Sequence, residues 1–171
     1  CPSSTVLTVS VFNPPTPTIN PIAALCNNAS SVALSASPSG GVWSLSSGVS
    51  SNGIQTPSLS AIGSNTVVYT AGQGTCVASS SSTFHVSQFN SAAFSGTIAN
   101  LCVSNNPVNL MAIVQNTSGY WSGINVVNSH SFNPAGLPSN TYTLTYINPS
   151  TPSTLNLCQD TKTIVASVLN P

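Results

Sequence analysis

The chain has 171 residues, one basic side chain, Lys162, and one acidic side chain, Asp160, with no Arg and no Glu. Such a composition has no basic patch for nucleic acid or anionic membrane and too few carboxylates for a Ca²⁺ site. It also has no run near the roughly 20 apolar residues of a spanning helix. At 40% hydrophobic with zero net charge, it lacks the profile of a disordered chain; Ser, Thr and Asn carry the polarity.

In chain order, Leu7, Val9 and Val11 alternate with Thr8 and Ser10, the signal of a half-buried strand. Pro14 to Pro21, with Pro15 and Pro17 inside it, reads as a stiff, extended linker. Val32 and Leu34 alternate weakly. Ser37-Pro38-Ser39-Gly40-Gly41 is a turn cluster, followed by Val42-Trp43-Ser44. Ser64-Asn65-Thr66 opens a strand-like run that leads to Cys76. The landmarks then recur: Cys102, Pro107-Val108-Asn109-Leu110, Ser118-Gly119-Tyr120-Trp121-Ser122, the turn Asn133-Pro134-Ala135-Gly136, Ser139-Asn140-Thr141 with the alternating Tyr142, Leu144 and Tyr146, and Cys158.

A short ending occurs three times. It reads Thr8-Val9-Ser10-Val11-Phe12-Asn13-Pro14 after Cys1, His85-Val86-Ser87-Gln88-Phe89-Asn90 after Cys76, and Val165-Ala166-Ser167-Val168-Leu169-Asn170-Pro171 after Cys158. Recurrence of this kind marks a repeat array. The expected organisation is a last strand over residues 1–14 that lacks its own domain, a first repeat over 15–90 and a second over 91–171. The strand at 1–14 either completes a preceding segment of one chain or is donated to a neighbouring subunit. The chain starts with Cys and not Met, and is read as a processed product or a piece of something longer.

Five cysteines lie at 1, 26, 76, 102 and 158, with short and long gaps alternating. The simplest pairing is one disulfide per repeat across each long gap, Cys26–Cys76 and Cys102–Cys158, leaving Cys1 for an inter-repeat or intermolecular bond. Four cysteines allow three connectivities, and free buried thiols are the plain alternative. Cys1 has a second reading as the lipid-bearing residue of a lipoprotein, which its alignment with Cys76 and Cys158 opposes. About seven short strands per repeat, a mid-domain Trp and a Cys pair suggest all-β, immunoglobulin-like sandwiches in file, with Trp43, Trp121, Tyr69 and Tyr146 as core aromatics.

Here the order Cys, Val-x-Leu, Gly-x-Trp-Ser, a Pro-containing turn, Ser-Asn-Thr with a strand, then Cys resembles the Ig-like repeats of very large secreted surface proteins and adhesins of Bacteroidota. The resemblance runs through Cys26, Val32, Leu34, Gly41, Trp43, Ser44, Pro57, Asn65, Tyr69 and Cys76, and again through Cys102, Val108, Leu110, Gly119, Trp121, Ser122, Phe132, Tyr142, Tyr146 and Cys158. It implies export to the cell surface and a structural role in adhesion, gliding or filament formation, with neighbouring repeats or subunits as partners. Ser118 departs from it where the first repeat has Gly40, as does the near absence of charge.

Catalysis finds little to work with, since acid–base chemistry needs positioned titratable groups. Only Asp160, Lys162, His85 and His130 are present beside the cysteines and tyrosines. Asp160 and Lys162, two apart on a strand, are expected to form a weak exposed pair. Metal spacings and phosphate loops are absent, so no cofactor is expected. An isopeptide cross-link from Lys162 is disfavoured. Two sequons at Asn28 and Asn116 permit glycans in a suitable host, although such triplets arise by chance in this composition. The rival reading is a glycan-binding module in which Trp43, Tyr120 and Trp121 stack on sugars; burial of those rings counts against it.

Overall fold

The computed structural model describes residues 2–11, 13–44, 47–103, 106–149 and 158–170. The chain is all-β, with several small sheets and only two short 3₁₀ turns, Pro57–Leu59 and Leu110–Ile113, among the described residues. No helix there is long and apolar enough to cross a membrane. The chain divides into two compact units. The first holds residues 1–23 and 29–86, and the second holds 24–28 and 87–171. The division thus falls before Ser87 rather than after Asn90, and the segment around Cys26 goes with the second unit.

The first unit contains β1 (Thr18–Ile19), while β2 (Leu25–Cys26) belongs to the second. Next come β3 (Val32–Ala33), β4 (Ala36–Ser37), β5 (Val42–Ser44), β6 (Ile54–Gln55), β7 (Gly63–Gln73) and β8 (Cys76–Ser87). β7 and β8 form a long antiparallel hairpin in which Gln73 faces Cys76 across the two-residue loop Gly74-Thr75. Gly74 sits at φ 57°, in the left-handed region that primed hairpin turns use and only Gly enters without cost. β5 adds to β7 with Trp43 opposite Tyr69. Two small pairs, β1 with β4 and β3 with β6, complete the unit. The expected linker at Pro14–Pro21 is therefore partly structure: Pro17 is buried, and Thr18 and Ile19 pair with Ser37 and Ala36.

The second unit continues with β9 (Leu101–Cys102), β10 (Val108–Asn109), β11 (Tyr120–Ser122), β12 (Val126–Val127), β13 (Ser131–Phe132), β14 (Asn140–Asn148) and β15 (Asp160–Leu169). These form a four-stranded sheet in the order β11-β14-β15-β9 and a three-stranded sheet in the order β10-β13-β12. One buried cluster joins Trp121, Leu144, Tyr146, Ala166 and Val168 of the larger sheet to Phe132 of the smaller one and to Leu110. Two sheets sharing an apolar core in this way are compatible with a β-sandwich.

Both units carry the same clasp. Tyr69 hydroxyl donates to Pro38 carbonyl (2.5 Å) and accepts from Gly41 N–H (2.7 Å). Tyr146 hydroxyl donates to Asn116 carbonyl and accepts from Gly119 N–H (2.9 Å). Each ring packs against its tryptophan, at 4.8 Å for Trp43–Tyr69 and 5.1 Å for Trp121–Tyr146. A Cβ on Gly41 or Gly119 would collide with backbone carbonyl oxygen and with the tyrosine ring, so the glycine lets the strand approach its clasp.

The clasp fixes how the two units correspond. Tyr69 faces Ser80, and Tyr146 faces Lys162. Counted from those pairs, Cys76 matches Cys158 and Ser87 matches Leu169. The sequence endings instead match Ser87 with Ser167, which is two residues out of register. A two-residue slip keeps each side chain on its face, so alternation alone does not detect it.

Residues 2–11 have no strand partner, and Val6, Leu7, Val9 and Val11 are each at least 74% exposed. The half-burial expected from their alternation is not present, because a lone strand has no sheet to bury one of its faces. Cys1 and Phe12 lie outside the described residues.

Burial raises the Tyr146 phenol above its ordinary 10.0, while the Gly119 hydrogen bond acts in the opposite direction. Because the folded state holds this proton more tightly than the unfolded chain, Tyr146 leaves stability unchanged below pH 10 and lowers it as pH rises beyond that value. Tyr146→Phe should lose about 1–3 kcal/mol at neutral pH, since it strands a buried N–H and carbonyl. It should also flatten the alkaline decline. Urea midpoints at pH 7 and across pH 9–12 measure both effects.

Candidate functional site

Among the described residues the one disulfide joins Cys26 to Cys158, 132 residues apart, with Cα atoms 5.5 Å from each other. Cys76 is half-buried and free, and Cys102 is exposed and free. The expected pairs Cys26–Cys76 and Cys102–Cys158 are thus replaced, and the reason is strand length. Cys76 begins β8 and Ser87 ends it. At about 3.4 Å per residue, the eleven steps between them span roughly 37 Å. Cys26 lies at the Ser87 end, where Asn27 N–H donates to Ser87 carbonyl (3.0 Å). Cys158 and Leu169 are likewise eleven residues apart, and Cys102 faces Leu169. In both repeats the two cysteines sit at opposite ends of the last strand, far beyond the 7 Å that a disulfide bridges.

Around Cys158 the second unit builds a polar, largely buried joint. Cys158 is buried, with its Sγ 3.6 Å from Ser87 carbonyl. Phe89 N–H donates to Asn27 Oδ1 (2.8 Å), tying the segment after β8 to the one that carries Cys26. Asn90 Nδ2 donates to Pro149 carbonyl, and Asn148 Nδ2 donates to Ser91 carbonyl, each at 2.9 Å. Asp160 Oδ2 accepts from Ala92 N–H (2.8 Å). Further along, Ser95 N–H and Gln115 N–H bond Ile113 and Ala93 carbonyls, and Phe94 forms a bridge with Val114. The extended segment after β8 is therefore stitched into the second unit from Phe89 to Ser95.

The two ionic residues are occupied here rather than with each other. Asp160 binds backbone N–H groups of Ala92 and Thr161, and Lys162 Nζ lies 5.7 Å from the Phe94 ring centroid, a cation–π distance. Phe94 in turn stacks on Trp121 at 5.4 Å. His85 is half-buried and His130 exposed. No three His, Cys, Asp or Glu side chains gather as a metal cluster among the described residues.

Trp43 and Trp121 are buried, and their faces are used by Tyr69 in one case and by Phe94 and Tyr146 in the other. Of the three sugar-stacking candidates only Tyr120 is exposed. Asn28 is exposed. Asn116 is half-buried, its Oδ1 held by Ser118 N–H and its carbonyl by Tyr146.

Sequence reading missed Asn27, Asn90 and Asn148, whose amides hold the joint; for Asn90 alone, the Asn recurring in each ending was the available signal. No protein-family model matches the chain, and no curated protein is significantly similar to it.

A non-reducing proteolytic map should join the Cys26 peptide to the Cys158 peptide and recover neither expected intra-repeat pair. Closing a loop this long contributes on the order of 5 kcal/mol in the chain-entropy model. Cys26→Ser should therefore lower the unfolding free energy by about 2–5 kcal/mol, whereas Cys76→Ser should change it by less than about 0.5 kcal/mol. Chemical denaturation of the three proteins gives both differences.

Proposed function

We propose that this chain is a non-catalytic structural segment of an extracellular repeat protein, built from Ig-like sandwiches in file, that forms a cell-surface fibre or adhesin. The observation that carries the reading is the joint at Cys158. The Leu25–Cys26 strand pairs with β8 of its own repeat, is grouped with a unit folded mainly from the next repeat, and is disulfide-bonded there to Cys158. Repeats cross-linked covalently through an edge strand suit a load-bearing array better than a freely diffusing enzyme.

Four further features support it. The seven strands β9–β15, divided four and three, fit an Ig-like domain. Residues 2–11 expose a row of apolar side chains of the kind that strand addition covers. Zero net charge removes the repulsion that keeps soluble monomers apart. A structural disulfide is at home in an oxidising, extracytosolic compartment.

Immunogold electron microscopy on intact, unpermeabilised source cells tests the reading, with an antibody raised to the folded chain. Label should lie along surface filaments. Label confined to the cell interior, or none at the surface of cells that make the protein, would reject it.

A further inference from the structure

We infer that Cys76 and Cys102 are the two halves of a second cross-link of the Cys26–Cys158 kind, in which Cys102 of one copy of the chain bonds to Cys76 of another. This deepens the structural reading above by naming the partner, a further copy of the repeat, and the bond that joins it.

Cys102 occupies the place that Cys26 holds. Val103 N–H donates to Leu169 carbonyl (3.1 Å), as Asn27 N–H does to Ser87 carbonyl (3.0 Å). Leu169 and Ser87 are each eleven residues beyond the cysteine that leads into their strand. Cys26 in that setting is bonded, whereas Cys102 in the same setting is exposed and free. Among the described residues no second cysteine lies against Cys102, the part that Cys158 plays for Cys26.

Cys76 occupies the place of Cys158, at the entry to the last strand of the first unit. Cys158 is covered by Ser87 and bonded to Cys26. Cys76 instead opens onto two cavities of about 530 and 550 Å³. The first is lined by Ser10, Val11 and the loop Gln73–Thr75, and the second includes Asn13 and Pro15. The end of the N-terminal segment therefore runs beside Cys76, as the end of β8 runs beside Cys158. Among the described residues no cysteine-bearing strand lies beside Cys76 as Leu25–Cys26 lies beside Cys158. A two-residue strand with its cysteine, Leu101–Cys102 from another copy, matches Leu25–Cys26 in kind and in length.

Forming the bond oxidises two thiols and needs an oxidant, here a low-molecular-weight disulfide of the glutathione type. The exposed Cys102, as thiolate, attacks one sulfur of the oxidant and releases the other as a thiolate. Cys76 thiolate then attacks the Cys102 sulfur of the mixed disulfide and expels the second thiolate. Two electrons pass to the oxidant, and the two protons lost by the cysteines end on the released thiolates.

The test uses the full chain with Cys1→Ser, incubated with oxidised and reduced glutathione. A non-reducing gel should show a ladder with 17.3 kDa steps, and digests should join the Cys76 peptide to the Cys102 peptide. In the same background, Cys76→Ser and Cys102→Ser should each abolish every step beyond the dimer. Mixing those two variants should give the Cys76–Cys102 heterodimer in at least about tenfold excess over either homodimer, because strand docking raises the effective concentration of the matched pair. Recovery of the Cys26–Cys158 peptide from every variant shows that each is folded. Homodimers as abundant as the heterodimer, or both cysteines merely capped by glutathione, would overturn the inference. Surface filaments lacking the Cys76–Cys102 peptide would overturn the bond while leaving the fibre reading in place.

Discussion

The length of the last strand is the constraint from which the rest follows. That strand spans Cys76–Ser87 in the first repeat and Asp160–Leu169, just after Cys158, in the second, and each time the other cysteine lies at its far end. A rigid, hydrogen-bonded β-ladder of that length cannot bring its own ends together. Each cysteine must therefore find a partner from outside its repeat. For Cys26 and Cys158 that partner is in the chain, and the disulfide bonds the Leu25–Cys26 strand, which pairs with β8, to Cys158 of the second unit. The same strand length leaves Cys76 and Cys102 free, at opposite ends of their respective repeats.

With almost no charge, the molecule holds itself together through neutral hydrogen bonds. The Tyr–Gly clasp satisfies a buried phenol with one donor and one carbonyl, and it seats the tryptophan beside it. Asn side chains do the equivalent work at the joint, where their amides reach carbonyls that no ladder pairs. Ser and Thr line the hairpin, and Thr70 and Ser79 hydroxyls bond across it (2.8 Å). Neutral bonds of this kind are unaffected by salt, unlike surface ion pairs. The sole acidic group is also used as an acceptor for backbone N–H, close to the disulfide.

Several features were legible because they depend on local pattern. The glycine before each tryptophan, the tyrosine opposite it and the alternation through Tyr142, Leu144 and Tyr146 describe one face of a sheet, and that face is inward. The endings were legible as a repeat but not in register, since a two-residue slip leaves the pattern intact. Leu7, Val9 and Val11 carry the strand pattern as clearly as Tyr142 to Tyr146 do, yet they are exposed. Alternation states which face would be buried and says nothing about whether a neighbour is there.

The sequence by itself determined the all-β class and the aromatic positions of the cores, because those rest on periodicity and on the short range of turn chemistry. It also set the polarity of the molecule, through composition alone. Only the tertiary structure decided the cysteine pairing, the assignment of residues 24–28 to the second unit and the occupation of Asp160 and Lys162 by the segment after β8. Spacing along the chain counts residues without giving their direction in space. Two cysteines separated by a straight strand are as far apart as that strand is long, and which other cysteine comes near is settled by how the strands are laid side by side.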